Sequence, residues 1–175
     1  MSERRRRERL LAVLDGEGAR IFATLTRFTL RHDVAADLLQ ELFLRLQSSE
    51  TFATAENPAA FAWRTALNLA THWRRENRRR RTVAVDDRNI AAGGASPLEE
   101  LIRDEQIAAL LDSLDGLSET ARECFVMRFI EGRSYEEIGR EVGKTPHQVR
   151  GHCHAAVRQL REMLKIEVTR DAIEG

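Results

Sequence analysis

Aromatic side chains make up only 6% of this chain, and among its 175 residues there are 3 prolines and 2 cysteines. Few aromatics and prolines, beside Leu and Ala recurring at helical spacing, point to an all-α protein. Two distant cysteines supply no disulfide framework, so a reducing cytoplasm is the expected compartment. No apolar run approaches the length that crosses a bilayer, and no membrane partner is expected. The arginines near the start are not followed by an apolar stretch with a cleavage site, so no secretory signal is expected. Net charge is missing too, because 28 basic and 28 acidic residues cancel. A balanced total argues against indiscriminate coating of nucleic acid, yet leaves local clusters open.

Such clusters are present. Arginine fills positions 4–7, and "WRRENRRRR" occupies 73–81, while acidic residues gather in "PLEELIRDEQ". With 42% hydrophobic and 32% charged residues, the chain can bury a core. Leu10, Leu11, Leu14, Ile21, Phe22, Leu25 and Phe28 fall at helical spacing, with Gly16 and Gly18 expected to separate two helices. Asp33 is a candidate N-cap for "VAADLLQELFLRLQ", whose apolar face is Leu38, Leu39, Leu42, Phe43 and Leu46. Asp37, Gln40, Glu41 and Arg45 fall largely off that face. Residues 48–56 read as a polar loop holding one stranded aromatic, Phe52. Asn57 followed by Pro58 starts a helix that could run to Arg81, with Trp63 and Trp73 near the edges of its apolar stripe. Residues 82–97 lack an amphipathic face and contain Gly93, Gly94, Ser96 and Pro97, so they read as a flexible linker. The expected architecture is two small helical domains, 1–81 and 98–175, joined by residues 82–97.

The second domain carries the more specific pattern. Ser134 with Glu137, and Thr145 with Gln148, have capping-box spacing on two successive helices, the second of which is expected to end near Lys165. Gly143 suits the turn between them and Gly139 permits close packing, which together describe a helix-turn-helix. Its second helix would place Thr145, His147, Gln148, Arg150 and Gly151 toward a major groove. A plain helical hairpin fits the same residues. In the first domain, a helix with two Trp and a basic end suits single-stranded nucleic acid, since arginines hold phosphates and ring faces take unstacked bases. Buried tryptophans and a solvated helix end fit equally.

"DLLQELFLRL" (37–46), "NPAAFAWRTALNLATHWRRENRRRR" (57–81) and "GLSETARECFVMRFIEGRSYEEIGREVGKT" (116–145), in that order, resemble the sigma-70 family of bacterial sigma factors. The short extracytoplasmic-function (ECF) group is the most similar, over residues 10–164. The resemblance implies that residues 1–81 form region two and 98–175 form region four. It implies that Asp37, Leu38, Gln40, Glu41, Phe43 and Leu46 dock on the beta-prime clamp helices of core RNA polymerase. It implies that the 48–56 loop with Phe52 captures a base of the minus-ten element, and that Arg64, Asn68, His72, Trp73, Arg74, Arg75 and Arg78 follow melted promoter DNA. For the minus-35 element it implies Ser134, Lys144, Thr145, His147, Gln148, Arg150, Gly151 and His154. An anti-sigma factor is an implied partner, and the implied location is the cytoplasm, at the nucleoid.

The sequence also departs from the family. Lys144 stands where an apolar residue is usual, His152 and Ala155 where arginines are, and Cys153 where Leu is. A metal site would need three converging ligands, but His147 and His154 lie two turns apart, so no metal or other cofactor is expected. Adjacent pairs such as Asp86–Asp87 point apart on a helix, and no phosphate loop or nucleophile arrangement occurs. An enzyme and a small-molecule substrate are therefore not expected. The competing function is a stand-alone helix-turn-helix regulator of duplex DNA, which has no need of the first domain's motifs.

Overall fold

A computed structural model describes the backbone of residues 3–83 and 97–174, and the side chains of 4–80 and 104–164. All its regular structure is helical. In the first half, α1 (Glu3–Thr29), α2 (His32–Ser48) and α4 (Pro58–Val83) pack on one another, with the short α3 (Glu50–Thr54) beneath α4. Their shared core includes Ile21, Leu25, Phe28, Leu42, Leu46, Phe52, Trp63 and Leu67. In the second half, α5 (Pro97–Ser113), a 3-10 turn (Leu114–Gly116) and α6 (Glu119–Phe125) lead into α7 (Tyr135–Val142) and α8 (Pro146–Glu174). The side chains of Leu114, Cys124, Val126, Ile138, Val149, Cys153 and Ala156 fill that half. The linker expected over 82–97 lies almost wholly outside the described residues: α4 reaches Val83 and α5 begins at Pro97.

Several boundaries differ from the sequence expectation, each for a physical reason. Gly16 and Gly18 do not divide α1. Leu10, Val13, Ile21, Leu25 and Phe28 form one buried stripe across them, and its burial outweighs the roughly 1 kcal/mol each mid-helix glycine costs. Asp33 is not the N-cap of α2. Arg31 takes the extended cap geometry, and Asp33 sits in the first turn, accepting from the Arg31 guanidinium at 2.5 Å. The 48–56 stretch is not an open loop, because Ser49 accepts from Phe52 N at 3.0 Å and starts α3. α8 runs past Lys165 to Glu174. Asn57 does cap α4, its side-chain oxygen accepting from Ala60 N at 3.0 Å.

One irregularity has no counterpart in the sequence expectation. The helix after Ser118 widens into a π-turn over Val126–Ile130, with Glu131 N donating to Val126 O at 3.0 Å. Gly132 then ends it in the left-handed region, φ 73. A π-turn inserts one residue into the helical ladder and re-aims the chain beyond it. The first residue beyond this one is Glu131, whose carboxylate reaches across to the first half.

Candidate nucleic-acid interface

The polar side of α4 carries Arg64, Asn68, His72, Arg75 and Arg78. His72 and Arg78 face solvent, and Trp73 is half-buried against the core. Arg64, Asn68, Arg75 and the buried Arg74 hydrogen-bond to a row of acids on the second half. Arg64 donates to both oxygens of Glu123, at 2.5 and 3.1 Å. Asn68 donates to Glu119 at 3.2 Å and accepts from Arg122 at 3.3 Å. Arg75 forms a two-pronged pair with Asp115 at 2.6 and 2.9 Å. Arg74 is the buried member, 9% exposed, and its guanidinium bonds Asp112, Phe28 O and Ala108 O. Burial pushes the Glu123 carboxyl above its ordinary range despite Arg64 beside it. Asp115 is less enclosed, and the Arg75 hydrogen bonds hold its carboxyl below the ordinary range.

Glu131 is the second meeting point. Its carboxylate accepts from Trp63 Nε1 at 2.7 Å, Thr24 Oγ1 at 2.7 Å and the Arg20 guanidinium at 2.8 Å. Arg20 also reaches Glu141 at 3.2 Å and stacks over the Trp63 ring at 5.4 Å. Trp63 is therefore a core residue with a satisfied N–H, not an edge residue. Phe52 is also corrected. It is fully buried, 6.0 Å from the Phe61 ring, and cannot offer its face to a base. It anchors α3 from below, while Arg9 donates to Ala53 O at 3.0 Å and to Ala55 O, and Arg6 pairs with Glu50 at 2.8 Å. The N-terminal arginines thus hold the 49–55 segment in place, a role their sequence run did not suggest.

On α2, Asp37 and Gln40 are exposed and Glu41 and Phe43 are half-buried. Leu38 and Leu46 are buried in the domain's own core and cannot serve as docking residues, because their side chains are already covered. Leu44, which periodicity did not single out, is 63% exposed. It falls four positions after Gln40 and seven after Asp37, the spacing of one helix face. Glu41 is held in that face by Arg45 at 2.6 Å.

The helix-turn-helix is fully formed. Ser134 Oγ accepts from Glu137 N at 3.2 Å, and Glu137 returns a carboxylate to Ser134 N at 2.8 Å. The Thr145–Gln148 box closes likewise, at 2.9 and 3.2 Å. Gly143 sits at φ 68. A Cβ on Gly139 would stand 2.5 Å from Lys144 O, so only glycine lets the turn approach α7 this closely. Val149, Cys153, Ala156 and Leu160 turn inward, while Thr145, His147, Gln148, Arg150, Gly151 and His154 face solvent. Ser134 is committed to its cap, and Lys144 is half-buried in the turn. Cys153 donates weakly to Cys124 O at 3.6 Å, and burial pushes the Cys124 thiol up to about 12. No group of three or more metal-ligating side chains converges among the described residues.

The acidic partners of α4 are not evident from sequence patterns. Glu123 did leave a signal, being a lone carboxylate in the apolar stretch "ARECFVM". A charge in such a run is either misplaced or paired.

Residues 16–80 match the family model described as Sigma-70 region 2, and residues 113–162 that described as Sigma-70, region 4. The chain is 32% identical over 124 residues to the ferric citrate uptake sigma factor FecI of Escherichia coli, covering 70% of this chain and 72% of that one. It is 35% identical over 142 residues to the ECF RNA polymerase sigma factor SigE of Mycolicibacterium smegmatis, covering 77% and 52%. Against the ECF RNA polymerase sigma factor SigK of Mycobacterium tuberculosis it is 23% identical, covering 87% and 83%. A solved structure of the sigma factor RpoE in complex with the anti-sigma factor NepR, from Bartonella quintana, aligns with a TM-score of 0.46 at 22% identity. That alignment covers 91% of this chain and 96% of the other.

Proposed function

The chain belongs to the ECF group of the sigma-70 family, an RNA polymerase sigma factor, and on that premise we propose how its two halves divide the work of initiation. The first half docks on the beta-prime clamp helices through Asp37, Gln40 and Glu41, with Leu44 and Phe43 supplying apolar contact. The Arg64, Asn68, His72, Trp73, Arg75 and Arg78 face of α4 follows the melted minus-ten strand, with Arg74 positioning it from the buried side. Arginine and exposed ring edges suit this, because a single strand offers phosphates and unstacked bases together. The second half reads the minus-35 element through Thr145, His147, Gln148, Arg150, Gly151 and His154. The polymerase performs the chemistry, so this protein acts as a non-enzymatic specificity subunit. Its place is the cytoplasm, at the nucleoid, and an anti-sigma factor is its proposed regulatory partner. No described helix is long and apolar enough to cross a membrane.

The observation that carries this division is the closed helix-turn-helix, with both capping boxes made and the leading residues of α8 facing solvent. Run-off transcription with purified core polymerase on promoter fragments is the test. Stimulation at specific start sites is expected, and Asp37→Lys with Glu41→Lys should abolish it while leaving duplex binding by the full chain intact. Duplex binding without any stimulation by the unaltered chain would instead indicate a stand-alone regulator.

A further inference from the structure

The opening turns of α1 meet the short α3 at both of its ends. Arg6 donates to the Glu50 carboxylate at 2.8 Å and to Gln47 O at 3.4 Å, beside the start of α3. Arg9 donates to Ala53 O at 3.0 Å and to Ala55 O, at its finish. The two arginines stand three positions apart on α1, so they share one face of it. The last carbonyls of a helix have no partner within it, and a guanidinium has five donors to offer them. Phe52 pins the middle of the segment: its ring is fully buried, with the Arg9 guanidinium 6.0 Å from its centroid. We propose that Arg6 and Arg9 are positioning residues for minus-ten recognition, a bracket that holds residues 49–56 rigid so that their exposed polar groups meet a base in one geometry.

The inference rests on the reading of residues 48–56 as the segment that captures a minus-ten base. With Phe52 buried, recognition falls to the groups left outside, and Thr51, Thr54 and Glu56 are exposed. Hydroxyls and carboxylates read base edges through hydrogen bonds, which weaken steeply when misaligned. The five residues of α3 cannot hold such groups still by themselves, because so short a helix is unstable alone. The bracket supplies what α3 lacks. The Nε atoms of Arg6 and Arg9 are enclosed, so both stems run inside the contact rather than across its surface. Arg5 and Arg7, from the same run, are exposed. The two built-in arginines are unequal. The Arg6 partner Glu50 is 88% exposed, which makes that link the weaker one.

The test is run-off transcription by the full chain with core polymerase, on duplex fragments randomised over both promoter elements and counted by sequencing. The wild-type chain should show base preferences at minus-ten and at minus-35. In Arg9→Ala the preference at the most selective minus-ten position should fall about tenfold, the size of one lost base-edge contact, while minus-35 preference stays within about twofold. Arg6→Ala should lose about threefold, because its partner is exposed. Arg9→Lys keeps the charge and can still donate to the carbonyls, so it should recover most of the preference. Hydrogen exchange gives a second readout. The Phe52, Ala53 and Ala55 amides bond Ser49 Oγ, Ser49 O and Phe52 O, and in Arg9→Ala they should exchange about tenfold faster while the α2 and α4 amides do not. Arg5→Ala with Arg7→Ala removes charge from the same run and should leave both readouts within about twofold of wild type. Unaltered minus-ten preference in Arg9→Ala would overturn the proposal. Equal losses at both promoter elements, or an equal loss in the Arg5 and Arg7 control, would overturn it too, since they mark general damage or charge alone. If the alanine chain does not fold, Arg9→Gln, which keeps a donor for one carbonyl, carries the same comparison. A minus-ten preference that survives these changes sinks the bracket alone. Wild-type initiation with no minus-ten preference sinks the base-capture reading, and no stimulation at all sinks the sigma reading.

Discussion

Glu131 concentrates more consequence than any other single side chain here. Three donors from the first half converge on its carboxylate, which is 5% exposed. Glu131→Ala would leave the Trp63 N–H and the Thr24 hydroxyl without that acceptor and Arg20 short of one. We expect a loss of about 3 kcal/mol, read by urea denaturation, with a shift in Trp63 emission. Cys124 leads to the opposite kind of expectation. With its thiol pushed up to about 12 and fully enclosed, it stays protonated at neutral pH. Ellman's reagent should label neither Cys124 nor Cys153 until denaturant is added, since the thiolate is the reactive species. Labelling of native protein within minutes would contradict this packing. Residue identity alone revealed some of this. Cys153 was legible as a small buried apolar group, because it stands where the resembled family has Leu, and the structure buries it. Leu38 and Leu46 were legible too, since helical spacing set them on the apolar face that the structure buries; Phe52 was not, because its seat depends on α3 and α4 closing over it, a tertiary fact no local spacing contains.

Among the elements, the helix-turn-helix was the most legible, and the reason is local. Capping boxes act over three residues, and a left-handed glycine acts at one, so Ser134, Glu137, Gly143, Thr145 and Gln148 declare themselves without knowledge of the rest. That locality makes the element testable piecewise. Ser134→Ala should cost about 1 kcal/mol by losing the cap. Gly139→Ala should cost roughly 2 kcal/mol or more, because its new Cβ meets the Lys144 carbonyl and backbone must move. Thermal denaturation followed by circular dichroism measures both, and minus-35 duplex affinity should fall more for Gly139→Ala, which displaces the start of α8. The elements that sequence misjudged were set by distant packing. α1 runs through two glycines because its stripe is needed on both sides of them. The π-turn at Val126–Ile130 carries no sequence mark of its own, yet it aims Glu131 at Trp63.

At the scale of the molecule, the division into two halves was legible from the break in periodicity after Arg81. Their mutual contact was not, because ion pairs between residues 38 to 121 positions apart leave no period to read. That contact sets a pH dependence whose two limbs have opposite sign. Glu123 faces Arg64 from α4 and Glu119 and Arg122 from its own helix, and burial raises its pKa from an ordinary 4.5. The folded protein therefore binds its proton more tightly than the unfolded chain, so this group stabilises the fold increasingly as pH falls toward 4.5. Asp115 faces Arg75, Arg78 and Arg122, and its pKa is lowered from an ordinary 3.8. Its contribution is complete above 3.8 and is lost as pH falls through the lowered value. Stability should accordingly not fall on going from pH 7.5 to 5, and should drop only below about 4. Urea denaturation across that range tests this. In Glu123→Gln the Glu123 contribution should vanish while the acid limb persists. In Asp115→Asn the Asp115 contribution to the acid limb should vanish instead. A loss of stability that begins at pH 6 in the wild-type chain would mean that groups other than these carboxylates govern its pH dependence.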